Sequence, residues 1–242
     1  MFIKNLKNSL VDFFTELEKL KLKLCFVGGC TRSLYTGEFF NNDFDIEYRS
    51  DLELDEIYVK IINFLNNKKI KFEKLSYFII RMYIEDCVVE LSPPRIEKKI
   101  NSNSHHYFEP SFSFKFTYEE SFKRRDFTFN AIGIECNFEN LSEKVIDPFF
   151  GVDDIKNKKI ALIDFDFFLD PVRFFRLVRF SSKFENFCID SQITLNINKF
   201  SLGNINNNLI LKEINNSNFA KYSFVFELSL RNFSQDQEFL KF

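Results

Sequence analysis

Apolar residues at Ile3, Leu6, Leu10, Phe13, Phe14, Leu17 and Leu20 recur at the spacing of one helix face, which predicts an opening helix packed on the next elements of the chain. Residues 24–27 are a short, wholly apolar run of the buried-strand kind, and Gly28-Gly29 ends it. Residues 31–35 then read as a helix closed by Gly37, because glycine most readily takes the left-handed conformation past a helix end. The segment 43–49, DFDIEYR, alternates polar and apolar with the two-residue period of a strand. Residues 54–66 return to the helical period, and 77–85 with 87–91 predict a hairpin turning at Asp86. Pro93-Pro94 should stop the sheet, since proline cannot donate to a ladder.

From Arg95 to about Phe112 the chain is polar and irregular, a predicted loop long enough to suspect function. The basic stretch Lys123-Arg124-Arg125 precedes an apolar run at 127–134, and after Gly151 the pattern turns mostly helical, most clearly at 170–184. The predicted class is α+β: a helix, a small mixed sheet with crossing helices, then a helical last third. Two units are expected, over 1–137 and 138–242.

Composition adds limits. The chain has 242 residues, with Phe 35 against Trp 0 and many Asn and Lys, a bias that A/T-rich codons explain without a functional role. The formal net charge is −2, without the basic excess usual for a long nucleic-acid groove, so any RNA contact must come from local clusters. Five cysteines, without C-x-x-C spacing or a His at metal-ligand intervals, predict reduced thiols. The start lacks the continuous apolar stretch of a signal peptide, and no run approaches ~18 apolar residues. These features predict a cytoplasmic protein with no membrane partner.

Candidate chemistry begins at Asp43 and Asp45, two apart on a predicted strand and therefore on one face. Carboxylates that close repel unless a cation sits between them, and Mg²⁺ commonly takes one or two carboxylates with substrate phosphates. Upstream, FVGGCTRS places glycines at a strand-to-helix turn, where backbone can approach a phosphate closely. Arg32 and Ser33 follow in the first helical turn, where a guanidinium can fork onto phosphate oxygens. On the helix at 170–184, Asp170, Arg173 and Arg176 fall within about a third of the circumference, opposite Phe174, Phe175 and Val178. Cytosine and adenine both present an exocyclic amine beside an unprotonated ring nitrogen, which a carboxylate and a guanidinium can read together.

FVGGCTRSLYTG…NDFDIE resembles the first signature of the polymerase-β-like nucleotidyltransferase head found in class II tRNA nucleotidyltransferases (CCA-adding enzymes) and bacterial poly(A) polymerases. KRRDFTFNAIGIE is similar to the family's R-R-D-F-T-x-N-A run, VIDPFFGVDDIKNKKI to its D-P-x-x-G-x-x-D-L connector, and LDPVRFFRLVRFSSKF to its E-D-P-x-R-x-x-R-x-x-R-F helix. The resemblance implies a catalytic head followed by an all-helical neck. It implies a template-independent enzyme adding C and A, from CTP and ATP, to tRNA 3′ ends with two Mg²⁺ ions. By residue it implies catalytic and metal roles for Asp43 and Asp45, with Glu90 as a third acidic group facing the metals or a solvated strand end. Triphosphate and ribose contacts fall to Gly28, Gly29, Arg32, Ser33, Arg125, Asp126 and Asn130, and base selection to Asp170, Arg173 and Arg176.

Two positions depart from the family's pattern: Ser33 stands where the family has Asp, and Leu169 where it has Glu. The 95–116 segment stands where the family has a flexible loop that assists the switch from C to A, and its His105 and His106 are assigned no metal. SLGNINNNLILKEINNS only faintly resembles the family's helix-N-cap signature, so at most the start of a body is expected, a truncated one. A reduced surface, a partner or a second copy (a homodimer) would then complete the tRNA grip. Poly(A) synthesis, A-only addition, or a degenerate relative that binds RNA or nucleotide without chemistry are the competing readings.

Overall fold

The computed structural model describes residues 2–39, 42–99, 108–184, 186–200, 211–213 and 215–216. His105, His106 and most of the Asn-rich 196–218 stretch lie outside the described residues. The chain divides into two compact units. The first comprises Met1–Ile100, Phe108–Arg125 and Phe129–Val152; the second takes Asp126–Thr128 and the chain from Asp153 onward.

In the first unit a turn of 3-10 helix at Ile3–Asn5 precedes α1 (Asn8–Glu18), so the predicted opening helix is broken at Leu6. Next come β1 (Leu22–Val27), α2 (Gly29–Thr36), β2 (Asp43–Ser50), α3 (Leu54–Asn67), β3 (Lys71–Lys74), β4 (Ile80–Ile84) and β5 (Cys87–Ser92). A ribbon of β6 (Arg95–Lys99) and β7 (Phe108–Phe112), then α4 (Tyr118–Phe122), β8 (Gly133–Asn137) and β9 (Ser142–Ile146), complete it. Seven strands make one sheet in the order β3-β4-β5-β2-β1-β8-β9, antiparallel except for the β2–β5 pair. The crossover through α3 and the β3–β4 hairpin permits that parallel pair, since parallel strands need a long connection.

The alternation on β2 decides its orientation. Phe44, Ile46 and Tyr48 are buried in one core with Leu10, Phe13, Phe14 and Leu17 of α1 and Ile57, Ile61 and Leu65 of α3. Burying each such side chain contributes ~1.5–3 kcal/mol, so a one-residue slip that exchanged the faces would be heavily penalised. Asp43 and Asp45 are thereby held on the opposite face and exposed.

Two sequence expectations change here. The polar stretch from Arg95 is not an irregular loop: β6 and β7 pair antiparallel from Arg95↔Phe112 to Lys99↔Phe108. Pro93-Pro94 does end the large sheet at Ser92, but the chain resumes at once in this separate ribbon. Finally β9, lying beyond residue 137, belongs to the first unit's sheet, and α5 (Gly151–Lys156) spans the change of unit.

The second unit also contains β10 (Lys159–Ile160), α6 (Val172–Lys183), β11 (Cys188–Ile189) and α7 (Ser191–Thr194), with β10 and β11 parallel. Phenylalanine rings fill its core. Phe127 meets Phe167 at 5.2 Å and Phe180 at 5.6 Å between centroids, while Phe200 contacts Phe167, Phe168 and Phe174. Phe127 bridges to Leu162, and Thr128 donates its N–H to the Ala161 carbonyl, so this short segment is built into the later part of the chain.

The α6 pattern also differs from expectation. The helix begins at Val172, and Asp170 precedes it in extended conformation, accepting the Val172 N–H at 2.9 Å. Arg173 is only 8% exposed and is buried along with Phe174, Phe175, Leu177, Val178 and Phe180, while Asp170 and Arg176 of the polar stripe remain partly exposed. No helix among the described residues is long and apolar enough to cross a membrane.

Candidate active site

The site is built where β1 ends. Gly28 has φ +78° and ψ −129°, a conformation that side-chain-bearing residues rarely adopt. A Cβ added there would stand 3.1 Å from Asp45 Oδ2 and 3.8 Å from Arg125 Nη1. The bare backbone of this turn therefore lies against one carboxylate and one guanidinium. A Cβ on Gly29 would meet nothing within 4 Å, so its side of the turn is open. Register explains the approach, because Val27 pairs with Asp45 and with Gly133 on the two neighbouring strands. The Thr31 hydroxyl lies within hydrogen-bond distance of both the Gly28 carbonyl, at 3.1 Å, and the Ile132 carbonyl, at 2.9 Å, tying the turn to the start of β8.

Asp43, Asp45 and Glu47 occupy one face of β2 but differ in environment. Glu47 is 2% exposed and is occupied by Arg49 (2.6 Å from Nη2, 3.0 Å from Nε) and by the Ser121 hydroxyl at 3.1 Å. Asp43 and Asp45 remain solvent-accessible. Asp45 nevertheless lies close enough to surrounding protein that burial pushes its pKa above the ordinary carboxylate value. Arg125 opposes that rise, while Glu90 and Asp43 reinforce it by like-charge repulsion. Two accessible, mutually repelling carboxylates with oxygen donors only suit a hard divalent cation of the Mg²⁺ class.

Arg125 donates from Nη1 to the Asn130 carbonyl at 3.2 Å, and its guanidinium stands 5.3 Å over the Phe122 ring. Its neighbour Arg124 is not a solvated charge: burial, together with Arg95 and Arg125 nearby, pushes its pKa down to about 9. Crowded cations of this kind favour an anionic ligand. Arg32 donates to Asn130 Oδ1 at 2.5 Å and to Glu38 Oε2 at 2.7 Å, and the Thr36 hydroxyl also reaches Glu38 at 2.9 Å. Asn130 thus joins arginines from both signatures.

Other expected site residues are placed differently. The Ser33 hydroxyl, buried, donates to the Cys30 carbonyl at 2.8 Å within its own helix, and so turns away from the phosphate role expected of it. Glu90 lies opposite Asp45 in register, but its Oε2 accepts two bonds from Arg81. Among the described residues no three acidic, histidine or cysteine side chains are grouped to hold a metal ion.

In the second unit Asp126 accepts from Arg176 Nε at 2.5 Å and from the Phe127 N–H at 2.8 Å. Arg176 also pairs with Glu213 at 3.5 Å, which makes it a structural partner rather than an open base reader. Asp170 and Arg173 form an ion pair at 3.7 Å. Sequence reading missed Glu38 and Arg81, whose only signal was a charged residue near the motifs, and missed the enclosure of Arg124.

Comparison with known proteins adds a finding to this geometry. The poly A polymerase head domain family matches residues 24–161. A CCA-adding enzyme of Francisella tularensis subsp. novicida is 42% identical over 98 residues, 40% of this chain and 25% of that one. A CCA-adding enzyme of Coxiella burnetii is 44% identical over 71 residues, 29% and 18% of the two chains. Among solved structures, a CCA-adding enzyme without ligand superposes with TM-score 0.70 at 22% identity, over 96% of this chain and 54% of that one. One in complex with CTP gives 0.68 at 21%, over 97% and 53%. The chain thus spans about a quarter of the length of the curated relative from Francisella and about half that of the solved structures, which show a shared fold.

Proposed function

Because the chain belongs to the poly A polymerase head domain family, we propose that it is a template-independent RNA nucleotidyltransferase that adds C and A to tRNA 3′ ends. The observation that carries this reading is the convergence of the Asp45 carboxylate and the Arg125 guanidinium on the Gly28 turn, where a Cβ would stand 3.1 Å from the first and 3.8 Å from the second. That arrangement supports a triphosphate seat beside a carboxylate-held cation. The relatives' description as CCA-adding enzymes, and the solved complexes of such enzymes with CTP and with ATP, support the choice of nucleotides.

In this reading Asp43 and Asp45 hold Mg²⁺, and the bound ions would acidify the RNA 3′-hydroxyl and neutralise charge gathering at the α-phosphate. The chain's own residues position the substrate. The Gly28-Gly29 backbone lets the phosphates approach, and Arg125 faces them with a charge that Asn130 orients through its carbonyl. Arg32, fixed by Asn130 and Glu38, braces the helix behind the turn. The acceptor hydroxyl would give its proton to solvent as its oxygen bonds to the α-phosphorus, and the bond from that phosphorus to the β-phosphate oxygen breaks, releasing pyrophosphate. Asp170, held by the Val172 N–H and paired with Arg173, is assigned the reading of the amine and ring nitrogen shared by C and A.

The test is incorporation of labelled CTP or ATP into tRNA ending at the discriminator base, at C or at C-C. Extension that halts at the mature end is expected. Long A tracts would replace this reading with poly(A) synthesis, and no incorporation into any acceptor would overturn it.

A further inference from the structure

The short helix α4 has five residues, and an isolated helix below ~12–15 residues is marginal, so contacts from elsewhere must hold it. Register lines those contacts up. Glu47 on β2 and Glu135 on β8 both pair with Cys25 on β1, so the three side chains share one face of the sheet. α4 lies across that face. The Tyr118 hydroxyl donates to Glu135 at 2.6 Å, and the Ser121 hydroxyl donates to Glu47 at 3.1 Å. Phe122 presses on bare backbone, because a Cβ on Gly133 would meet its ring at 2.9 Å.

Arg49 gathers these ties into one clamp. Its Nη2 and Nε donate to Glu47 at 2.6 Å and 3.0 Å, and Nη2 also reaches the Ser121 hydroxyl at 3.2 Å. Its Nη1 donates to the Phe116 carbonyl, just before the helix, and the guanidinium lies 4.0 Å over the Tyr118 ring. Donors in a fixed plane can serve all four partners together, which the single point charge of a lysine cannot. The far end of α4 leads directly to the candidate site. The Arg125 N–H donates to the Phe122 carbonyl at 2.9 Å, and the Arg125 guanidinium stands 5.3 Å over the Phe122 ring. A shift of the helix on the sheet is therefore passed to the charge that meets the Gly28 turn.

We propose that Arg49 is a positioning residue for nucleotide binding: by clamping α4 to β2 it fixes the direction in which Arg125 presents its charge to a triphosphate. The inference rests on the reading of the Gly28 turn and Arg125 as the triphosphate seat. Its physical basis is pre-organisation. A guanidinium already aimed at the phosphates loses little freedom when they arrive, whereas one carried on a loosened helix must be ordered at that moment. The clamp is enclosed, with the Arg49 side chain 12% exposed and that of Glu47 2%, so water does not readily replace a lost tie. Because the triphosphate is common to ATP and CTP, the clamp serves both nucleotides equally and has no part in base choice.

The experiment titrates ATP and, separately, CTP into the full chain with Mg²⁺ and without RNA, so that calorimetry reads affinity apart from turnover, well below each variant's melting temperature. Arg49→Lys keeps the charge beside Glu47 and loses the clamp, and should weaken both nucleotides alike by about tenfold. Arg125→Ala should weaken them further, and adding Arg49→Lys to it should change little more, since a residue acting through Arg125 then has nothing left to position. An additive loss in the double variant would make Arg49 a general support of the fold and overturn the inference. Unchanged affinity in Arg49→Lys, or loss of one nucleotide alone, would overturn it too. Should Arg49→Lys fail to fold, Ser121→Ala removes one tie, keeps the Glu47–Arg49 pair, and should weaken both nucleotides by less; affinity equal to the parent's would then count against the clamp. If the parent binds neither ATP nor CTP, or Arg125→Ala binds them as well as the parent does, the triphosphate reading itself fails and takes this inference with it.

Discussion

Gly28 and Asp45 constrain each other, and that constraint can be probed one residue at a time. Gly28→Ala would place a methyl 3.1 Å from Asp45 Oδ2 at a φ of +78°. Strain of this kind costs ~1–3 kcal/mol, and the displaced carboxylate should lower kcat by about 10²-fold. Denaturant unfolding and steady-state incorporation measure the two effects. A variant that keeps full activity would show that the close approach is incidental. Asp45 also predicts a pH effect. Burial, aided by Asp43 and Glu90, raises its pKa in the folded chain, so its ionisation disfavours folding. The stability contribution is whole below the unfolded pKa and is lost as pH rises through the raised folded value. In metal-free buffer Asp45→Asn should therefore be more stable than the parent at neutral pH, with the difference vanishing in acid, while activity is abolished. Thermal melts in chelator across that range decide it. Both aspartates were legible in the sequence because strict alternation with Phe44, Ile46 and Tyr48 dictates their face. Ser33 was misread because a helical hydroxyl can return to its own backbone carbonyl, a local competition that motif spacing does not reveal.

At the scale of elements, the turn between β1 and α2 depends on a cross-chain tie. Thr31 is fully buried, and its hydroxyl bridges the carbonyls of Gly28 and Ile132. Thr31→Val preserves the shape and leaves those acceptors short of a donor, which should cost ~1–3 kcal/mol. Loosening the turn should also raise KM for the nucleotide more than it lowers kcat, and a pure stability loss with unchanged KM would confine the tie to folding. A second test lies on β8, where a Cβ on Gly133 would meet Cys25 Sγ at 2.8 Å and Phe122 Cζ at 2.9 Å. Gly133→Ala should overpack this point by ~1–3 kcal/mol, read as a lower denaturation midpoint. The elements that patterning anticipated, α1, α2, α3, β1, β2 and the β4–β5 hairpin, are those with one buried face. Those it missed have little or none. β3 (KFEK) is an edge strand whose residues are mostly exposed, and β9 (SEKVI) is another edge. The β6–β7 ribbon escaped because its strands are rich in charge and separated by intervening polar chain, so pairing rather than periodicity defines it.

Across the whole chain, the proposed reading assigns separable parts of the activity to the two units. Sequence order suggested a division near residue 140, yet Asp126–Thr128 is withdrawn into the second unit by backbone pairing with residues 161–162 and by ring contacts of Phe127. Tertiary capture of three residues within the RRDFT run leaves no trace in periodicity, and it explains why Arg125 and Asp126, adjacent in sequence, have partners in different units. Asp126 is held by Arg176, and Asp170 is held by its helix start and by Arg173, so the polar groups of the second unit are pre-oriented. If that unit chooses the base while the first performs transfer, variants should separate along the same line. Asp45→Asn should abolish incorporation of every nucleotide. Asp170→Ala should preserve incorporation but raise UTP and GTP use relative to CTP and ATP, because the carboxylate that accepts the exocyclic amine is gone while the transfer site is intact. A single well-placed hydrogen bond of this type is worth ~1.5–3 kcal/mol, so the ratio should shift by about 10–10²-fold. Parallel single-nucleotide incorporation with the four triphosphates measures it. An Asp170→Ala protein that loses all activity, or keeps its C and A preference, would place base choice elsewhere in the chain.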